Sequence, residues 1–289
     1  MQNTTHNPQE QPEQNGEAQR SLSRNEARLI SKLEFEHVRL VRIKDVQQVL
    51  ASSYQYSSFL LHSLVRKGWL ARLRPGLYEL IPASSGGFWT RDWYASLQAF
   101  RTPYYLSFLA AAYFHGFSPQ RPRLAQVATS DKVRARYAAE EAGVESVRVG
   151  SSRFFGFQQV ERSGLVVNVA EPAKVIVDCL YSPEKSGGIL EVARIVARGA
   201  RQTSSSKLVD YAIRMDNRAL VQRLGYLADT LDVKLAKRER DQLLKYASQD
   251  GEHSFLGSTK VFGTKGNYSR TWRITDNVGR ERLLGELEF

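Results

Sequence analysis

The stretch from Arg66 to Leu80, RKGWLARLRPGLYEL, constrains the fold more than any other part of the chain. Along WLARL the side chains alternate, so that Trp69, Ala71 and Leu73 share one face while Leu70, Arg72 and Arg74 share the other. Pro75-Gly76 supplies a turn, because proline presets one dihedral and glycine accepts a positive φ. LYELI returns as a second strand, and Pro82 stops it. The product is a hairpin with an apolar face for a core and an arginine face turned outward.

What precedes the hairpin reads as helix. Ser23 and Glu26 have the spacing of a capping box, and Ala27, Ile30, Leu33 and His37 follow at intervals of three and four. In RIKDVQQVLA, Ile43, Val46, Val49 and Leu50 share one face of a short second helix. A third starts at serines suited to an N-cap, carries Leu60, Leu61, Leu64 and Val65 as its apolar stripe, and ends at Gly68. Three helices followed by a hairpin describe a winged helix-turn-helix over residues 23–82. In such a module the third helix enters a major groove and the hairpin lies along the neighbouring backbone. The outward face of the third helix then offers Ser53, Tyr54, Gln55, Ser57, Ser58 and His62 to base edges or phosphate oxygens. Lys44, Arg66, Lys67, Arg72 and Arg74 form a mainly sequence-independent phosphate grip. A net charge of +11 favours a polyanionic partner through counterion release.

Residues 1–22 are rich in Gln, Asn, Glu and Pro and are expected to be disordered, because they cannot offset their ordering entropy. ASSGG (Ala83 to Gly87) is a linker to a larger mixed α/β domain over 88–289, which makes the fold class α+β. Its first helix puts Trp89, Trp93, Leu97 and Phe100 on one face, and LSFLAAAYFHG is the next. Strands follow at LAQVAT, SVRV, FFGFQQV and LVVNVA, the last two as a hairpin around Ser163-Gly164. Four successive helices come next, EPAKVIVDCL, GILEVARIVARGA, SKLVDYAIRM and RALVQRLGYLADTL. A charged helix over 234–248 and a strand-like or irregular tail complete the chain.

Several classes are disfavoured. No apolar run reaches the eighteen or so residues of a membrane span. The first residues lack the basic and apolar regions of a signal peptide, and with Cys179 the lone cysteine a cytoplasmic, reducing location is the economical expectation. The five histidines show no ligand spacing, and neither GxxxxGK[ST] nor GxGxxG is present, so no metal or cofactor is expected. His115, Cys179 and the Ser186 to Gly188 turn read as structural. Asp232 to Lys234 has the acid-x-lysine spacing of some metal-dependent nucleases, which keeps a DNA-targeted nuclease or nucleotidyl-transferring enzyme as the alternative to a binding protein.

The segments RLRPGLY, YYLSFLAAAYFHGFSPQRP, QVATS, FFGF, VVNVAEPAKVIVDCL, SGGILEVA, LVDYAIR and RLGYLADTL occur in an order that resembles the AbiEi antitoxins of type IV toxin–antitoxin, or abortive-infection, systems. The likeness runs from about Ile43 to Leu231, with TWRITDN extending it; the long polar N-terminal tail departs from it. It implies a winged helix that represses its own operon at inverted repeats, bound as a dimer or by cooperating monomers. It also implies a C-terminal antitoxin domain that counters an AbiEii-like nucleotidyltransferase toxin without a stable complex. In that domain Lys132, Arg134, Arg136, Arg153, Lys174, Arg194, Arg198 and Arg201 read either as a second basic surface, for antitoxicity or a secondary nucleic-acid contact, or as ordinary solvated faces. Arg194 and Arg198, four apart, share a helix face, and Lys174 has Asp178 as an alternative partner.

Overall fold

The computed structural model describes residues 21–85, 93–100, 102–130, 143–162, 164–249, 251 and 253–285. The chain divides into two compact units, Met1–Thr90 and Arg91–Phe289. Most of the polar tail, the two glycines of the linker and Trp89 lie outside the described residues.

The first unit opens with α1 (Arg24–Phe35), whose capping box forms as expected: the Ser23 side chain accepts from the Glu26 amide, and the Glu26 carboxylate accepts from the Ser23 amide at 2.7 Å. Its buried positions are Leu29, Ile30 and Leu33 together with Glu26. His37 is not part of that stripe; it sits beyond the helix with φ 53°, exposed in the turn. A short strand that the sequence pattern did not show, β1 (Leu40–Arg42), follows. Next come α2 (Ile43–Leu50) and α3 (Tyr54–Arg66), the latter capped by Ser53 and closed by Lys67 before Gly68 at φ 71°. The hairpin is β2 (Leu70–Arg74) and β3 (Leu77–Leu80), and β1 pairs with β3 to give the antiparallel order β1-β3-β2. This order, helix-strand-helix-helix-strand-strand, is that of a winged helix-turn-helix.

The alternation along β2 is not carried through. A register shift between Arg72 and Arg74 interrupts it, and Leu70, which alternation places on the arginine face, is buried with Trp69 in the core. That core joins Leu29, Ile30 and Leu33 of α1 to Leu60, Leu61 and Leu64 of α3 and to Val41 and Tyr78 of the sheet.

The second unit begins with α4 (Trp93–Leu97) and a mixed sheet of order β6-β5-β4-β8-β7. Its strands are β4 (Tyr104–Leu106), β5 (Ala125–Thr129), β6 (Val144–Arg148), β7 (Phe157–Arg162) and β8 (Leu165–Ala170). The central strand β4 takes the tyrosines and the leucine just before the alanine-rich run, so the helix read from LSFLAAAYFHG shrinks to α5 (Phe108–Phe114). β7 and β8 form the expected antiparallel hairpin. Four helices follow: α6 (Pro172–Tyr181), α7 (Ile189–Gly199), α8 (Ser205–Arg214) and α9 (Arg218–Thr230). Every residue of α6 from Ala173 to Leu180 is buried, so α6 is a central helix rather than an amphipathic one. It closes on a buried ion pair, Lys174 Nζ to Asp178 at 2.6 Å, and the Ser107 and Tyr105 hydroxyls also donate to that carboxylate.

The charged helix α10 (Lys237–Ala247) starts three residues later than expected. The tail is ordered: β9 (Ser254–Phe255), α11 (Thr259–Phe262), β10 (Asn267–Ser269) and β11 (Ile274–Asp276) build a small sheet of order β10-β11-β9, followed by α12 (Arg280–Gly285). Among the described residues no helix is long and apolar enough to cross a membrane.

Candidate nucleic-acid interface

On α3 the buried positions Ser57, Leu60, Leu61 and Leu64 set the inward direction. At about 100° per residue, Gln55, Phe59, His62 and Arg66 then fall within an outward stripe about 60° wide, and all four are exposed. Tyr54 and Tyr56 flank its first turn, and the Tyr56 hydroxyl accepts from Asn25 of α1 at 2.9 Å, which ties the start of α3 to α1. His62 Nδ1 lies 2.7 Å from the Ser58 carbonyl. A carbonyl oxygen only accepts, so Nδ1 carries the proton and Nε2 is the ring atom left to face outward. Lys44 on α2 and Arg72 on β2 are exposed as well.

Not every expected contact residue belongs to this surface. Ser57 is fully buried; its hydroxyl donates to the Ser53 carbonyl at 2.8 Å and meets the Ser52 hydroxyl at 2.9 Å, so it cannot reach a base edge. Ser53 is committed to capping, its hydroxyl accepting from the Tyr56 amide. Ser58 is only half-exposed, and its carbonyl is the one that holds His62. Arg74 is half-buried, with Nη1 3.5 Å from the neighbouring Pro75 carbonyl. Lys67 turns inward, its ammonium 2.7 Å from the Glu26 carboxylate, which is itself buried and also accepts from Ser63 at 2.8 Å. Burial alone raises the Glu26 pKa, but hydrogen bonds from Lys67, the Ser23 backbone and the Ser63 and Ser23 hydroxyls outweigh it and hold the group at about 2. Lys67 is therefore a structural cation that locks α1 to the end of α3.

Phe59 was not among the expected contact residues, although its spacing from Gln55, His62 and Arg66 carried the signal. Its side chain is 64% exposed, in the middle of the outward stripe.

The expected second basic surface largely dissolves. Lys132, Arg134 and Arg136 lie outside the described residues. Lys174 is buried on Asp178. Arg194 is buried and donates to Glu191 one turn earlier on α7, so it does not share a solvent face with Arg198. Arg153 donates to the Met215 and Asp216 carbonyls at 2.8 and 3.2 Å and to the Tyr181 hydroxyl at 2.8 Å, which makes it a clamp between segments of its own unit. What comes together instead is Arg198, Arg201 and Lys234 around a cleft of about 540 Å³. Asp232 shares that cleft, with Lys234 Nζ donating to its two carboxylate oxygens at 2.7 and 2.8 Å on an exposed turn.

The residues set aside as structural are placed accordingly. His115 bonds the Ala170 carbonyl at 2.8 Å, and burial lowers its pKa. Cys179 is fully buried, and burial pushes its thiol far above the usual range. Gly188, just before α7, gives its N–H to the Pro183 carbonyl at 2.8 Å. Among the described residues no group of three or more His, Cys, Asp or Glu side chains is arranged to hold a metal ion.

The first unit is a helix-turn-helix with a β-wing, and its third helix turns a largely polar stripe outward. Residues 28–81 match the family model described as "Transcriptional regulator, AbiEi antitoxin", so the likeness to AbiEi antitoxins read from the sequence is supported over those residues. The motifs beyond Ile81 that also suggested it lie outside the matched segment. No match was found among curated proteins. The fold of the chain is similar to that in the crystal structure of the RV2827C protein from Mycobacterium tuberculosis, with a TM-score of 0.69 and 16% identity over 94% of this chain and 97% of that one.

Proposed function

We propose that the chain is a DNA-binding autorepressor and antitoxin. Its first unit holds an inverted-repeat operator with α3 in the major groove and the wing along the backbone. Its second unit counters a nucleotidyltransferase-like toxin encoded beside it, without a stable complex. The observation that carries the DNA-binding part is the exposed stripe of α3, with Gln55, His62 and Arg66 around Phe59, on a module matched to a family of transcriptional regulators. An inverted repeat calls for two such modules per site.

The test is a binding titration of the full chain against duplex DNA from upstream of its own gene, over a salt series. With Lys67 committed to Glu26 and Arg74 half-buried against Pro75, three exposed cations of the expected grip remain: Lys44, Arg66 and Arg72. A slope of log K against log salt of about −2.7 follows. Arg72→Ala should weaken binding to all sequences alike and make the slope shallower by about 1. Absence of any retained duplex at low salt refutes the reading.

A further inference from the structure

An exposed phenylalanine is in itself ordinary; the position of Phe59 is not. It stands on the outward stripe of α3, about 6 Å along the axis from Gln55 and about 4.5 Å before His62. From Gln55 to Arg66 the stripe runs about 16 Å, the rise of about five base pairs. The other three members can all donate or accept hydrogen bonds, whereas Phe59 can do neither. At 64% exposure, it is left largely open by the described residues.

We propose that Phe59 is a specificity-determining residue that reads the C5-methyl group of thymine in the major groove. This rests on the DNA-binding reading above and deepens it. The edges of bases in that groove are donors and acceptors except for one feature, the thymine methyl, which is the group that rewards an apolar side chain. A hydrogen-bonding edge placed against Phe59 loses its water and gains no partner, so guanine, cytosine and adenine at that step are penalised. The neighbours favour duplex DNA as occupant over a second copy of this chain. Arg66 lies on the same stripe and Lys44 and Arg72 are exposed on the same unit, so a second copy would set cationic side chains against one another.

The experiment uses the full chain and the duplex from upstream of its own gene, with each thymine replaced in turn by deoxyuridine, which removes the methyl and nothing else. Wild-type protein should lose about four-fold in affinity at one position in each half-site. Phe59→Ala should bind the unmodified duplex more weakly by a similar factor, keep the wild-type salt slope because no charge is lost, and be indifferent to uracil at that position. Phe59→Met, which keeps an apolar contact, should retain part of the sensitivity. Because Phe59 is exposed, both variants should melt with the wild type. If deoxyuridine is neutral everywhere, or Phe59→Ala remains as sensitive as wild type at the same thymine, the assignment is overturned while operator binding stands. If Phe59→Ala instead converts a dimer to a monomer in sedimentation and the methyl effect is absent, the face pairs copies of the chain and the assignment is overturned. Failure of wild type to bind any duplex at low salt removes the DNA-binding reading and this assignment with it.

Discussion

Glu26→Gln isolates the charge that holds the first unit together. The Glu26 carboxylate is 3% exposed and accepts from the Ser23 amide, the Ser63 hydroxyl and the Lys67 ammonium, so one group satisfies a helix start and fastens α1 to the far end of α3. Its pKa falls from an ordinary 4.5 to about 2. A carboxylate depressed in the folded state contributes stability that is complete above its unfolded pKa and fades as pH falls toward the folded value. Across that interval the contribution is about 3 kcal/mol. Glutamine keeps the shape but resembles the protonated acid, so the substitution should forfeit most of that amount at neutral pH.

Hydrogen exchange read by mass spectrometry on peptides from α1 and α3 of the full chain checks this, with intrinsic rates corrected at each pH. At pH 6 the variant should show protection lower by about 100-fold in those helices, the equivalent of about 3 kcal/mol. The gap should begin to close below pH 4.5 and be nearly gone at pH 2, because the wild-type carboxylate is then losing its charge too. Peptides from α6 and α7 in the other unit should not change. A gap that stays constant down to pH 2, or wild-type protection in the variant at pH 6, would refute the assignment of Lys67 and Glu26 as a structural pair.

Two further outcomes follow from the second unit. Lys174→Met leaves the Asp178 carboxylate buried without its cation and should cost about 3–5 kcal/mol in urea unfolding; adding Asp178→Leu should recover part of it, leaving the Ser107 and Tyr105 hydroxyls to find new acceptors. Gly225→Ala should destabilise the unit by about 1–3 kcal/mol, because a methyl there would come closer to the fully buried ring of Trp272 than van der Waals contact allows; a thermal melt followed by tryptophan fluorescence reads it, and an unchanged melt would mean the ring has room to move.

What was legible in the sequence was what local rules encode. Ser23 and Glu26 announce the start of α1, Ser53 that of α3, Gly68 its end, and Pro75-Gly76 the wing. β1 and β4 escaped because three residues are too few to show alternation, and each abuts a helix whose pattern absorbs it. The pattern points to the outward face of α3, yet residue type puts Ser57 on it and leaves Phe59 off. Residue type alone marks serine as polar and phenylalanine as core, while the helical angle says the reverse for both. Lys67 and Glu26 are 41 residues apart, and their pairing exists only once the core has folded.

The fate of the basic residues shows how far net charge can be taken as a guide to partners. The first unit carries ten lysines and arginines against five acids between 21 and 85, an excess that invites a phosphate reading for all of them. Geometry sorts them instead by what lies inside reach: Lys67 meets a buried carboxylate, and Arg39 approaches Glu79 at 3.7 Å. In the second unit Arg194 and Lys174 have acids one helical turn away, and Arg153 finds backbone carbonyls. A cation bound within the fold releases no counterions when DNA arrives, so it adds nothing to the salt slope. On the DNA-binding reading proposed above, the electrostatic share of operator affinity would be correspondingly smaller than the charge of the chain implies. That reading then leaves the remainder to the outward stripe of α3 and predicts that discrimination between sequences, rather than overall affinity, is the quantity most sensitive to Gln55, Phe59 and His62.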